Sequence, residues 1–368
     1  MKISKYRGLY WLVLTTLFVM SAVAADYSSS LKPGKAELKS AGALAFGPEG
    51  ILFVGDSMGA AIFALDTGDR KAAASKTPVD IREINTKAAA LLGTASDQIL
   101  INDAVVNPIS KKVYLSVSRG RGPEATPVIL RADAAGKIEE FSLENVKFAR
   151  VSLPNSPGPE AKDRRGQSQR LEAITDLAYV DGKVIVAGLS NEEFASNLRS
   201  IPFPFSDADR GTSVEIYHGN HGRLETNAPV RTFVPYAIKQ EPHILAAYTC
   251  TPLVKFPLSA LKPGTKVVGT TIAELGNRNR PLDMVVYRKG TGEFILMNNS
   301  SRGVMKLSMA KLEGYEAITQ QTDIKGVPYE TIEHLKGVEQ LDGFDDAHAM
   351  VLIRAEGGAL DLKTIALP

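Results

Sequence analysis

The chain has 368 residues, with 43 Lys and Arg against 41 Asp and Glu and a formal net charge of +2. That balance excludes the broad basic field that nucleic-acid binding needs, and no acidic tail is present, so no nucleic-acid partner is expected. Hydrophobic residues make up 44%, ordinary for a globular protein, and the single cysteine, Cys250, rules out an intramolecular disulfide.

Lys2, Lys5 and Arg7 precede an apolar run from Leu9 to Val19, and Ala22-Val23-Ala24 supplies small residues for cleavage. This predicts a signal peptide over residues 1–25, too short and too early for a spanning helix. The remainder, 26–368, is expected in the periplasm or secreted, as one domain without stable membrane insertion. Without the three leading cations, 40 basic residues face 41 acidic ones, a net charge near −1.

A pattern then recurs. Leu44-Ala45-Phe46-Gly47-Pro48-Glu49-Gly50-Ile51-Leu52-Phe53-Val54-Gly55-Asp56-Ser57 reads as strand, tight turn, strand, and Ile62 to Asp66 adds a third strand. Variants begin at Asp103-Ala104-Val105-Val106, Asp176-Leu177-Ala178-Tyr179 and Asp283-Met284-Val285-Val286. No copy can bury its apolar faces alone, so the copies must stack. Six units are counted, which predicts an all-β six-bladed β-propeller, with seven blades as the alternative count.

In chain order, unit one takes strands at 43–46, 51–55 and 61–66, an outer strand at 78–84, and a helix-like stretch from Ala88 to Leu92. Unit two covers 101–143. Residues 144–171 read as a long polar loop. Unit three starts near Ile174, carries an insertion at 190–211, and takes its third and fourth strands from Val214 to Tyr217 and from Val230 to Val234. Unit four lacks a clear innermost strand, which would fall within 234–241. Units five and six follow from 282 and 338, and 34–40 is expected to complete the last blade and remove its open edge.

Propeller geometry sorts the polar residues. Asp103, Asp176 and Asp283 start innermost strands, and Asn191 and Asn298 lie after second strands, so all should crowd one mouth of the channel with both insertions as lid or wall. Converging carboxylates repel, and raised pKa values or a hard divalent cation such as Ca²⁺ would relieve them. The expected metal set is Asp103, Asp176 and Asp283, with amide oxygens from Asn191 or Asn298. The other reading makes each Asp a turn cap accepting backbone N–H. Asp176 or Asp103 would act as base, His334 as acid–base, and Glu172 as a further ligand or base, unless it is a surface charge. His218, His221, His243 and Cys250 are types that would favour zinc or copper, but their placement predicts that the four do not converge. Phe194, Phe203 and Phe205 are exposed if the 190–211 segment is extended, and Pro202-Phe203-Pro204-Phe205 is expected to pack it onto the ring, with contact to a partner as the alternative.

The phrase from Leu44 to Ser57 resembles the blades of the NHL, regucalcin/gluconolactonase and strictosidine-synthase-like propellers. In the regucalcin-like branch the resemblance implies a divalent metal in the central channel, held by Glu and Asn/Asp residues and promoting lactone or ester hydrolysis. Asp103, Asp176 and Asp283 fall in comparable places, while Ala43 stands where a Glu would be. Two functions follow: an exported, metal-dependent lactonase- or esterase-like hydrolase, or a non-catalytic propeller binding a small ligand, a sugar or a protein on its loop-rich face.

Overall fold

The structure, a computed structural model, describes residues 27–73, 77–250 and 252–368; the expected signal segment 1–25 lies outside them. Among the described residues the strands form six sheets, the blades of a six-bladed β-propeller. Blades are numbered here by the chain order of their innermost strands. Blade I runs outward as Leu44–Phe46, Ile51–Asp56, Ala61–Asp66, Val146–Ser152 and Lys32–Gly34. Blade II is Ile99–Val106, Val113–Arg119, Thr126–Ala132 and Ile138–Phe141. Blade III starts at Asp176–Val180, continues through Lys183–Leu189, Ser196–Pro202 and Thr212–His218, and ends at Arg223–Glu225. Blades IV, V and VI begin with Thr232–Ile238, Pro281–Lys289 and Val338–Asp345.

Alternation along each strand buries both faces. In blade I, Leu52, Val54, Phe63 and Leu65 pack against Tyr114 and Ile129 of blade II. Ile51, Phe53, Ile62 and Ala64 point the other way, onto Leu177, Val184 and Val186 of blade III. The period of two puts neighbours on opposite faces, and burial on both sides makes these strands read as nearly continuous apolar runs. Six such clusters separate the six blades, and they fix the order around the ring as VI, II, I, III, IV, V. Blades I and II are therefore exchanged relative to the chain.

That exchange explains three departures from the expected layout. Asp80–Ile81 pairs with Leu362 and Lys363 of blade VI, so it closes the last blade and is not the outer strand of the first. Residues 32–34 pair with 146–148 in blade I and close nothing. The expected loop 144–171 begins with Val146–Ser152, which returns from blade II to complete blade I along Ala61–Asp66. Just after Asp66, Asp69 anchors the chain against the first-to-second-strand turn of blade II: its carboxylate accepts from the Ser110 hydroxyl at 2.8 Å and Lys112 Nζ at 3.2 Å.

The insertion 190–211 likewise contains the third strand of blade III, Ser196–Pro202, and Thr212–His218 is the fourth. This moves Thr232–Ile238 into blade IV as the innermost strand that the sequence pattern lacked. Phe203 and Phe205 pack onto the ring as expected, Phe203 edge-on to Phe53 at 4.9 Å and Phe205 at 6.0 Å. The helix Ile84–Leu91 buries Ile84, Ala88 and Ala89 where blades II and VI meet. No helix of the described residues is long and apolar enough to cross a membrane.

Candidate functional site

The innermost strands of all six blades line one central cavity of about 390 Å³. Asp103, Asp176 and Asp283 reach it from blades II, III and V, as the repeat position predicts, and Asp342 joins them from blade VI. Sequence reasoning missed Asp342 because it is out of phase with the others. It lies opposite Met350, only the third residue of the second strand His348–Arg354, whereas Asp283 lies opposite Asn298 near the end of its second strand. The available signal was an Asp inside an alternating inner strand.

Each carboxylate braces the next blade. Asp103 Oδ2 accepts the Leu44 N–H at 2.7 Å, and Asp176 Oδ2 the Phe233 N–H at 2.7 Å. Asp283 Oδ2 accepts the Leu341 N–H at 2.9 Å, and Asp342 Oδ2 the Val106 N–H at 2.7 Å. The second oxygens of Asp103, Asp176 and Asp342 accept the N–H of the following residue, Ala104, Leu177 and Gly343. These inner-strand N–H groups face the channel and not a ladder partner, so a side-chain acceptor replaces the missing strand. Among the described residues, Asp283 alone of the four keeps an oxygen without a protein donor.

The electrostatics follow from the crowding. Burial is the largest influence and pushes Asp103 and Asp176 up to about 7 and Asp342 to about 6, against the lowering effect of the N–H bonds. Asp283 is raised well above the usual carboxylate range, by burial first and then by the charges of Asp103 and Asp176. Lys111, from the turn after the innermost strand of blade II, lines the same cavity and its charge holds Asp342 down relative to the others. Pro108 and Lys111 place the cavity toward the first-to-second-strand turns. No residue of 144–171 or 190–211 lines it, so these segments are not its lid.

The remaining expected site residues lie elsewhere. Asn298 is buried on the second strand of blade V and turns Oδ1 onto the Asp283 N–H at 2.6 Å. Its place is behind Asp283, not in the cavity. Asn191 is exposed and donates its N–H to the Asn155 carbonyl at 2.7 Å. His334 is exposed in the turn Glu333–Leu335 and does not reach the carboxylates. Glu172 pairs with Arg231, away from the lining. The expected separation of the soft-metal types holds for His243, whose Nδ1 stays beside the Glu241 carbonyl at 2.8 Å. It fails for His218, His221 and Cys250, whose ligand atoms lie within 4.8 Å of one another. They come together because Ser196–Pro202 takes the third place in blade III, which puts His218 at the end of a fourth strand, beside the second-to-third-strand turn of blade IV that carries Cys250.

Fold and cavity together define the class: a six-bladed β-propeller with an acidic central channel. No protein-family profile matches the chain, and no curated protein matches it. Among solved structures it is similar to a PQQ-bound aldose sugar dehydrogenase from Streptomyces coelicolor at 12% identity and a TM-score of 0.38, covering 91% of this chain and 96% of that one. An arabinanase from Bacillus subtilis matches at 12% identity and a TM-score of 0.36, over 73% of this chain and 94% of that one. Similarities this distant carry nothing about the chemistry of this chain, and the fold rests on the sheets described above.

Proposed function

We propose that the central cavity is the working site of an exported hydrolase that cleaves a small ester or lactone by carboxyl acid–base chemistry. The observation that supports it is the convergence of four aspartates on one cavity, with carboxyls lifted toward neutrality. A proton donor and a proton acceptor must coexist at working pH, and environments that push like groups apart provide both. Asp283, raised well above the usual carboxylate range and with one oxygen that has no protein donor among the described residues, is the general acid toward the leaving oxygen. Asp342, at about 6 and facing Lys111, is ionised at neutral pH and is the base toward a water. Asp103 and Asp176 hold the inner strands and complete the field.

A divalent cation of the calcium class is drawn to the same charge. Calcium–oxygen bonds of about 2.4 Å place ligand oxygens within about 4.8 Å of one another. Among the described residues no three of these carboxylates meet that limit. A cation would therefore bind Asp283 and at most one neighbour directly, and the rest through water.

The test is turnover of a panel of esters and lactones between pH 5 and 9. Asp283→Asn and Asp342→Asn should each lower kcat/KM by about 100-fold or more, with thermal unfolding as a check on the fold. Absence of turnover across the panel, or turnover untouched by Asp283→Asn, overturns the reading. One observation favours a second: both oxygens of Asp103, Asp176 and Asp342 already accept backbone N–H groups. On that reading the aspartates are braces around a binding cavity, and calorimetry would find ligand binding without turnover.

A further inference from the structure

Away from the channel, at the outer seam between blades III and IV, three side chains with soft or borderline donors meet. His218 ends the strand Thr212–His218, His221 follows in the turn Gly219–His221, and Cys250 lies in the turn between Glu241–Ala247 and Pro252–Pro257. The two imidazole rings are 4.0 Å apart between centroids and inclined at 46°. Behind them stands Glu225, with Oε2 at 2.8 Å from His218 Nδ1 and Oε1 at 2.8 Å from His221 Nδ1. A carboxylate bridging both Nδ1 atoms holds both rings in the tautomer with the proton on that side. Each ring is left with Nε2 as its free lone pair.

A second, independent observation lies inside the cluster. His218 is only 4% exposed, and its Nε2 is buried without any hydrogen-bond partner. Proteins rarely leave such a nitrogen unsatisfied, and an ion is one of the accepted reasons. Cys250 is half-buried and His221 is 41% exposed at its side chain, so solvent can reach the point they share.

We propose that His218, His221 and Cys250 bind one zinc-class ion through two imidazole nitrogens and a thiolate, with Glu225 as the positioning residue that orients both rings. Two nitrogens and one sulfur suit tetrahedral zinc and leave the fourth position to water. A carboxylate behind a ligating histidine is the usual outer support of such a site. The donors come from two blades, so the ion ties the outer edge of blade III to the top turn of blade IV. The hard channel carboxylates and this softer set select different ions, and the site stands or falls apart from the proposed hydrolysis.

The test uses the full chain, stripped with a chelator and titrated with Co²⁺. The expected result is one Co²⁺ per chain with a thiolate-to-cobalt charge-transfer band, displaced by Zn²⁺. Cys250→Ser should abolish the band while circular dichroism stays unchanged. Glu225→Gln should keep the band but weaken affinity about 10- to 100-fold, and His221→Gln should weaken it more. Asp103→Asn, in the channel, should leave the band intact. Zn²⁺ should raise the thermal midpoint of the wild type and not of Cys250→Ser. No stoichiometric binding, or a band that persists in Cys250→Ser, overturns the proposal.

Discussion

The channel and the seam between blades III and IV gather reactive side chains by different routes. In the channel, Asp103, Asp176 and Asp283 meet because repeated strands point one residue each at a common axis. At the seam, His218, His221 and Cys250 meet because an irregular outer edge folds beside a turn of the next blade. Symmetry makes the first convergence legible from spacing. Nothing periodic marks the second. The two regions also differ in their partners: both oxygens of Asp103 and of Asp176 accept backbone N–H groups, whereas a buried nitrogen of the histidine pair has no partner.

The sharpest way to break this comparison is to remove the braces. Asp103→Ala with Asp176→Ala strips acceptors from the N–H groups of Leu44, Ala104, Phe233 and Leu177. Each orphaned donor costs about 1–3 kcal/mol, so denaturant unfolding at pH 5 should show several kcal/mol lost. A loss below about 1 kcal/mol would mean that channel water replaces the carboxylates and that they brace nothing.

A smaller effect is expected from pH. The channel carboxyls titrate higher in the folded chain than the ordinary value near 3.8, at about 7 for Asp103 and Asp176 and about 6 for Asp342. The folded state therefore holds more protons between those values, and stability falls as pH rises from about 4 to about 7. At the seam, Glu274 is pushed up to about 8 by burial and acts in the same direction. Burial opposes the charge of Glu225, but hydrogen bonds from His218, Arg223 and His221 outweigh it and hold the group at about 2. Its contribution is lost only below the usual carboxylate range. The thermal midpoint should thus drop between pH 5 and 8. Asp103→Asn with Asp176→Asn should flatten that slope more than Glu274→Gln does; the reverse ranking would move the pH dependence to the seam.

The smallest effect belongs to Cys250→Ser. Without metal it should change unfolding free energy by no more than about 0.5 kcal/mol, since the side chain is only half-buried and the change keeps its size and shape nearly unaltered. A loss near that of the aspartate pair would make the turn around Cys250 structural in its own right.

Much of the fold was readable because strands buried on both faces leave apolar runs separated by turns, as at Ile51–Asp56 and Lys183–Leu189. The blade order was not, because exchange of blades I and II is decided by which faces pack together, with Phe63 in one cluster with Tyr114 and Phe53 in one cluster with Leu177. That information is spread over residues far apart in the chain. Ser196–Pro202 reads as insertion in the sequence because Arg199 and Asn197 interrupt its apolar pattern, although both are buried. Asp342 is hidden because it pairs with Met350, early in its second strand, whereas Asp283 pairs with Asn298 near the end of its own.

The proposed chemistry needs Asp103, Asp176 and Asp283 to hold protons near neutral pH while Asp342 is ionised. A carboxyl-carbon NMR titration of the aspartates, assigned through Asp103→Asn, Asp176→Asn, Asp283→Asn and Asp342→Asn, tests it most directly. The expected midpoints are near 7 for Asp103 and Asp176 and near 6 for Asp342, with Asp283 well above the ordinary carboxylate range. Four midpoints close to the ordinary aspartate value of about 3.9 would contradict it.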